Sequence, residues 1–320
     1  MGGRGESKRL PTVSVVVPTL NAAQHLRALL EALRSQFPQA PQEILIVDSG
    51  SRDGTVSAVQ TAGVPVRVIA IDRFSHGKAR NLGVRETTGD IVVFMSQDAI
   101  PENARWLAEL IAPYAIPEVA ATFSRQVPRP DANPMERFFL RSHFPAGEPV
   151  CMRRSGHEDL RFQRDVFFSN VSSSARRSAL VAHPFDEGLI MSEDQQFARD
   201  VLLAGMSVVY VPSSVVMHSH NYSFIGAVRR YFDSVYSLRQ IFPKHSVTLS
   251  LRMGICYIAK ETAMMARSHK TMLPKYGCYV LAKSIGTLLG HMAEHLPVSL
   301  CRRMSAHSYF WMQNDEEASK

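Results

Sequence analysis

Over its N-terminal third the chain alternates short, unbroken apolar runs with stretches whose apolar residues recur every three or four positions. The densest run, Ile91-Val92-Val93-Phe94-Met95, stops abruptly at Ser96-Gln97-Asp98. Such a short, uniformly apolar run suits a strand buried on both faces, as in the middle of a parallel sheet. Thr12 to Val17, Glu43 to Val47 and Val66 to Ala70 read as three further strands by their β-branched density. Between them, Leu26, Leu29, Leu30 and Leu33 fall at helical spacing within 25–36, another helix starts near Val56, and Ser75 to Gly83 opens a third. Strands alternating with helices predict an α/β, doubly wound, mostly parallel sheet of Rossmann-like type.

Further along the pattern loosens. Phe167 to Arg177 reads as a short strand followed by a polar turn, and His183 to Leu189 as a loop. A helix starts at Met191 to Phe197 and runs to Gly205. Val208 to Pro212 and Ser214 to Met217 read as two short strands, the second ending at His218. Helical spacing then dominates over 225–241, 249–266 and 275–295. These elements divide the chain into a short disordered lead (1–11), an α/β domain (12–222, with halves 12–100 and 101–222) and a helical C-terminal region (223–320).

Charge sharpens that division. Residues 1–222 hold 23 Lys or Arg against 23 Asp or Glu, whereas 223–320 hold 13 against 6, which accounts for the whole net charge of +7. Among apolar neighbours, Arg229, Arg230, Lys244, Arg252 and Lys260 make the C-terminal region a candidate for lying on an anionic membrane surface. The same helices could serve a homodimer. No run approaches the ~18 apolar residues that a spanning helix needs. The four cysteines are scattered without Cys-x-x-Cys spacing, so neither a zinc site nor a disulfide framework is indicated. With no signal peptide at Met1, the expected compartment is the cytoplasm, including its membrane face. The basic region lacks an aromatic-basic or helix-turn-helix pattern, so nucleic acid is not an expected partner.

Each strand of the first half ends in polar residues, and ligands of open α/β sheets bind beyond the carboxyl ends of strands. No Gly-x-Gly-x-x-Gly follows the first strand and no Gly-Lys-Ser/Thr occurs, which argues against a dinucleotide fold or a P-loop. Asp48 could instead accept hydrogen bonds from a base or ribose. Lys78 and Arg80, near a helix start, suit phosphate oxygens. Asp98 could hold a hard divalent cation such as Mg²⁺ or Mn²⁺.

The order of these features resembles the family 2 inverting glycosyltransferases of GT-A fold, over roughly residues 12–235. The resemblance is carried by Val-Val-Val-Pro-Thr-Leu-Asn (15–21), Ile-Val-Asp-Ser-Gly-Ser-Arg-Asp-Gly-Thr (46–55), Gly-Lys-Ala-Arg-Asn-Leu-Gly (77–83), Phe-Met-Ser-Gln-Asp-Ala (94–99), and Phe-Asp-Glu (185–187) with Ser-Glu-Asp-Gln-Gln-Phe (192–197). Ser-Gln-Asp-Ala and His-Ser-His-Asn-Tyr-Ser (218–223) look most like the bacterial rhamnosyltransferases within that family. It implies that Pro18, Thr19 and Asn21 line a base and ribose pocket, with Asp48 and Asp53 bonding the nucleoside. Lys78, Arg80 and Asn81 would approach the ribose, diphosphate or donor sugar. Asp98 matches the last aspartate of the family's Asp-x-Asp metal motif. Ser96 stands where the first aspartate would be, a departure that weakens the metal site, and Gln97 would give a neutral contact. Asp194 matches the catalytic base, Ser169 and Asn170 would border the donor sugar or acceptor, and His218, with His220 as its rival, would complete the metal shell.

The implied activity is transfer of rhamnose from dTDP-rhamnose, with inversion, to a surface-polysaccharide or lipid-linked glycan. The alternatives are another hexose from a UDP- or GDP-sugar, nucleotidyl transfer on the same fold, or a non-catalytic nucleotide-sugar-binding protein.

Overall fold

The computed structural model describes residues 11–62, 66–70, 74–153, 166–242 and 247–312. Most of the lead at 1–10, and Lys244, lie outside the described residues. Chain order begins β1 (Val13–Thr19), α1 (Ala23–Arg34), β2 (Glu43–Asp48), α2 (Thr55–Thr61), β3 (Val66–Ala70), α3 (His76–Glu86) and β4 (Ile91–Met95). These four strands pair in parallel in the order β3-β2-β1-β4.

Burial on both faces follows strand alternation. Val13, Val15 and Val17 of β1 join Ile91, Val93 and Met95 of β4 in one core, under Leu26, Leu29, Leu30 and Leu33 of α1. Val16, Val92 and Phe94 point the other way, beneath Ala79 and Val84 of α3. Each such fully buried Val or Leu contributes about 1.5–3 kcal/mol. Gly83 lets α3 approach β1 closely, because a Cβ there would lie 2.3 Å from Val16 Cγ1.

Beyond β4 come β5 (Ile100–Pro101), α4 (Trp106–Ile111), β6 (Val119–Val127), α5 (Pro134–His143), β7 (Val150–Met152), β8 (Ser172–Arg176), α6 (Arg177–Ala182), α7 (Glu193–Leu203) and β9 (Ser207–Met217). The sheet continues β4-β8-β6-β9-β5, with β7 also on β9. β8 runs antiparallel to both β4 and β6, while β6 and β9 are parallel, so β4, β6 and β9 share the direction of the first strands.

Two readings of the sequence are corrected here. The strand near Phe167 lies later, at β8, in the serine-rich stretch taken as a polar turn. Its serines are buried and bonded: Ser172 Oγ lies 2.7 Å from Ser124 Oγ and accepts from Trp106 Nε1 at 3.0 Å, and Ser174 Oγ lies 2.7 Å from Thr122 Oγ1. The two short strands around Pro212 are one strand, β9, whose register against β6 shifts between Val211 and Val215. Proline is tolerated at such an irregularity because no ladder hydrogen bond is required of it there.

The C-terminal helices are α8 (Phe224–Ile241), α9 (Val247–Ser268), α10 (Leu273–Met292) and α11 (Val298–Met304), followed by a helical turn at 308–312. α8 and α10 pack closely because Gly286 and Gly290 sit against the Val228 and Phe232 carbonyls, where a Cβ would come within 2.4 and 2.7 Å. Among the described residues no helix is long and apolar enough to cross a membrane.

Candidate active site

The carboxyl ends of β1, β2, β4, β6 and β9 form one rim, and β8, running the other way, brings the residues just before it to the same rim. Nearly all of the residues singled out in the sequence lie along it, in three groups.

The first group ties the ends of β1 and β2 together. Asp48 Oδ2 accepts from Thr19 Oγ1 at 3.0 Å and Ser51 Oγ at 2.6 Å, and its Oδ1 from the Gly50 and Ser51 amides. Burial pushes the Asp48 carboxyl up, but these hydrogen bonds outweigh it and hold it below the usual carboxylate range. Asn21, at φ +51°, accepts from the Arg52 amide at 3.0 Å through its side chain. Asp53 accepts from the Ala23 and Thr55 amides and from Thr55 Oγ1, bracing the starts of α1 and α2. Pro18 lies in β1 opposite Val47. Gln97 bonds both main-chain groups of Leu20, at 2.8 and 3.2 Å, and so clips β4 to β1. Ser96 donates its amide to the Val171 carbonyl at 2.9 Å. The side chains expected to face a nucleoside are thus braced by one another into a rigid rim.

The second group is a cluster of side chains that could hold a metal ion. β5 pairs Ile100 with Met217 of β9, which sets the turn carrying Asp98 beside the residues that follow β9. Nε2 of His218 lies 3.6 Å from Asp98 Oδ1, and Nε2 of His220 lies 3.9 Å from Oδ2. One ligand atom from each of the three residues falls within 4.8 Å of the others. Both rivals therefore face the carboxylate, as alternate residues of an extended chain do. Burial pushes His218 down to about 3 and lowers His220 as well, so both imidazoles are neutral and have a lone pair to offer. Nδ1 of His218 sits 3.1 Å from Gln126 Oε1, which fixes the proton on Nδ1 and turns the Nε2 lone pair toward Asp98. One carboxylate and two neutral imidazoles suit Mn²⁺ well and Mg²⁺ less well, since Mg²⁺ prefers oxygen. Arg129 approaches the same carboxylate, its Nη2 bonding the Asp98 carbonyl and lying 3.7 Å from Oδ2.

The third group centres on the start of α7. Ser192, left-handed at φ +64°, turns the chain so that Glu193 and Asp194 open the helix in different directions. Glu193 is buried and paired with Arg80, Nη1 to Oε1 at 2.6 Å. Burial would raise the Glu193 carboxyl, but the guanidinium holds it low and charged. Asp194 accepts from the Asn170 and Gln195 amides at 3.2 and 2.8 Å, yet burial and the neighbouring Glu193 charge push its carboxyl up to about 6. It remains half-buried, reachable from the rim. Asn170 also donates toward Glu193 Oε1 at 3.4 Å and accepts from Ser173 Oγ, and Ser169 accepts from Gln126 Nε2 at 3.0 Å. The two turn residues therefore join the second group to the third.

From α3, Asn81 is directed elsewhere: its side chain clamps Phe185 through both main-chain groups and reaches Glu187 Oε1 at 3.0 Å. Arg80 likewise serves Glu193 rather than an open face. Among the described residues the Lys78 ammonium has no hydrogen bond or ion pair, so it remains available to an anion. Gln126 and Arg129 went unnoticed in the sequence because β6 was not recognised. The signal was the apolar run from Val119 to Phe123, followed by polar Ser124-Arg125-Gln126 within the same strand.

Comparison with known proteins shows the family. The model for "Glycosyl transferase family 2" matches residues 14–179. The chain is 29% identical to the O-antigen chain rhamnosyltransferase RfbN of Salmonella typhimurium, covering 96% of this chain and 98% of that one. It is 30% identical to the O-antigen chain rhamnosyltransferase WbaN of Salmonella anatum, covering 97% and 99%. Among solved structures, the mannosyltransferase PcManGT from Pyrobaculum calidifontis, in complex with GDP-Man and Mn²⁺, superposes with a TM-score of 0.58 over 87% of each chain at 18% identity, a likeness of fold. Because the family model spans more than half of the chain and the Salmonella anatum relative is similar along almost its whole length, the chain belongs to glycosyl transferase family 2.

Proposed function

We propose that this glycosyltransferase moves rhamnose from dTDP-rhamnose, with inversion, onto a growing lipid-linked glycan at the cytoplasmic face of the membrane. The observation that carries the chemistry is Asp194, a reachable carboxylate lifted to about 6 next to a Glu193 already spent on Arg80. A base with a pKa just below neutral is deprotonated at pH 7 yet still takes a proton effectively. Asp194 accepts the acceptor hydroxyl's proton as that oxygen forms its bond to the anomeric carbon. The bond from the anomeric carbon to the diphosphate oxygen breaks on the opposite face, and its electron pair leaves with the diphosphate. Lys78 meets the growing negative charge, and the braced Thr19, Asn21, Asp48 and Asp53 rim, with Pro18 and Gln97, seats the nucleoside. Asp98, His218 and His220 are the residues that would hold Mn²⁺ or Mg²⁺, which when bound neutralises diphosphate charge. Ser169 and Asn170 border the transferred sugar.

Support for rhamnose comes from the two Salmonella relatives, whose similarity runs almost the full length of the chain. The membrane face is supported by exposed Ile255 of α9 and Leu281, Leu288 and Met292 of α10, carried on helices that also bear Arg252, Lys260, Arg267 and Lys275. Division of the chain near 222/223 belongs to the same proposal. Release of nucleoside diphosphate from dTDP-rhamnose, compared with UDP- and GDP-sugars and with and without Mn²⁺ or Mg²⁺, tests donor and metal together. Turnover only with a UDP- or GDP-hexose would replace rhamnose, and binding without turnover on any donor would make the chain a nucleotide-sugar binder. Sedimentation with anionic and with neutral vesicles tests the surface: binding that is equal on both, or absent from both, would remove it.

A further inference from the structure

Asp233 lies in the middle of α8 and is wholly buried, an unusual place for a carboxylate. Its Oδ2 accepts from the Ala306 amide at 2.8 Å and lies 3.0 Å from His307 Nδ1. The other nitrogen of that ring, Nε2, sits 3.3 Å from Nε2 of His76, the first residue of α3. Four half-buried rings, Phe74, His76, His307 and Tyr309, meet edge to face here with centroids 4.9–5.9 Å apart. The contact continues inward: the His76 carbonyl accepts from Arg80 Nη1 at 3.3 Å, and the same nitrogen holds Glu193 at 2.6 Å. Thus an unbroken series of contacts runs from the C-terminal segment to the helix start that carries Asp194.

We propose that His307, oriented by Asp233, is a positioning residue for the transfer reaction: it fixes His76 and, through the His76 carbonyl, the Arg80–Glu193 pair beside Asp194. The inference rests on the reading of Asp194 as base. With its Nδ1 held by the Asp233 carboxylate, His307 turns Nε2 toward His76 as an acceptor, so the proton between the two rings belongs to His76 Nε2. Burial pushes His76 down to about 3, so that ring is uncharged and has one proton to place. The carboxylate thereby dictates the tautomer of a ring two contacts away. The C-terminal segment is then part of the working site, although it lies more than a hundred residues beyond Asp194 in the chain.

The test compares His307→Ala, His307→Gln and, as a control in the same segment, exposed Ser308→Ala. Expected is a fall in kcat of about tenfold or more for His307→Ala, with the donor KM little changed, since displacement of a catalytic group costs the chemical step. His307→Gln, whose amide can donate to Asp233 and accept from His76, recovers most of that loss, and Ser308→Ala leaves kcat as it was. Nitrogen-15 histidine spectra read the relay without turnover: His76 shows its proton on Nε2 in the parent chain and mixed tautomers in His307→Ala. Unchanged His76 signals in His307→Ala, or an unchanged kcat, would overturn the proposal. So would a kcat loss that His307→Gln does not relieve although that variant melts like the parent. Absence of transfer by the parent chain on every donor would instead fault the reading of Asp194, and the spectra would still decide the relay.

Discussion

The two chemically loaded corners of the rim handle charge in opposite ways. At the α7 corner two adjacent carboxylates meet a single close guanidinium, and Arg80 takes Glu193, leaving Asp194 unpaired and raised to about 6. At the Asp98 corner there is one carboxylate, two imidazoles kept neutral by burial, and Arg129 alongside. The first corner holds surplus negative charge and so can take up a proton. The second offers uncharged lone pairs around one carboxylate and so can take up a cation. Asn170 and Ser169, with Gln126, connect the two, so that neither corner is placed independently. The contrast shows that burial alone does not set a group's role: it raises Asp194 and lowers His218, and in each case the neighbours decide what the shifted group does.

Mutation should separate the corners. Asp194→Asn is expected to have the largest effect, lowering kcat about 10³-fold with donor binding retained, as measured by nucleoside diphosphate release and calorimetry. Because the folded-state pKa of Asp194 is raised from 3.8 to about 6, its charge opposes folding increasingly as pH climbs through that interval. Neutralising the group would gain about 3 kcal/mol at pH 7, less the cost of the one backbone amide that Asn no longer accepts, so the same variant should be more stable than the parent in urea titrations at that pH. Retained turnover would deprive the α7 corner of its chemistry. Asp98→Ala should lower metal-dependent turnover about 10²-fold and abolish sensitivity to EDTA. A fully active mutant would remove the cation from the second corner. Gln126→Leu, which frees the His218 ring without touching Asp98, should weaken Mn²⁺ binding about tenfold. If it lowers kcat without changing the Mn²⁺ requirement, the link through Ser169 matters more than the imidazole. Finally, kcat/KM should be level above about pH 6 and fall about tenfold per pH unit below it, as Asp194 takes up its proton. A profile unchanged down to pH 5 would place the base elsewhere.

The first half of the sheet was legible because its strands are runs of apolar residues and α1 carries regular leucines. β1, β2, β3 and β4 lie where the pattern puts them. The second half hides its strands by burying hydroxyls. In β8 and β6, Ser172, Ser174, Ser124 and Thr122 satisfy one another and Trp106, so a fully buried strand is written in residues that otherwise mark turns. At the site, single polar residues beyond strand ends and at a helix start were readable, since Asp98, His218 and Asp194 all border the rim. Their partnerships were not. That Arg80 serves Glu193 and that Asn81 clamps Phe185 depend on contacts between residues far apart in the chain, which carry no local pattern.

The irregularity in β9 acts as a spacer with a counting function. Opposite the single step from Ser124 to Arg125, β9 advances from Val211 to Val215, and only then runs in register to Met217 and on to His218. Because side chains alternate with a period of two, a one-residue slip reverses every residue downstream. Deleting a single residue between Val211 and Val215 would bring Ser219 to Asp98 and turn both histidines away. Deleting one residue there should therefore cost more Mn²⁺ affinity, measured by calorimetry, than deleting two.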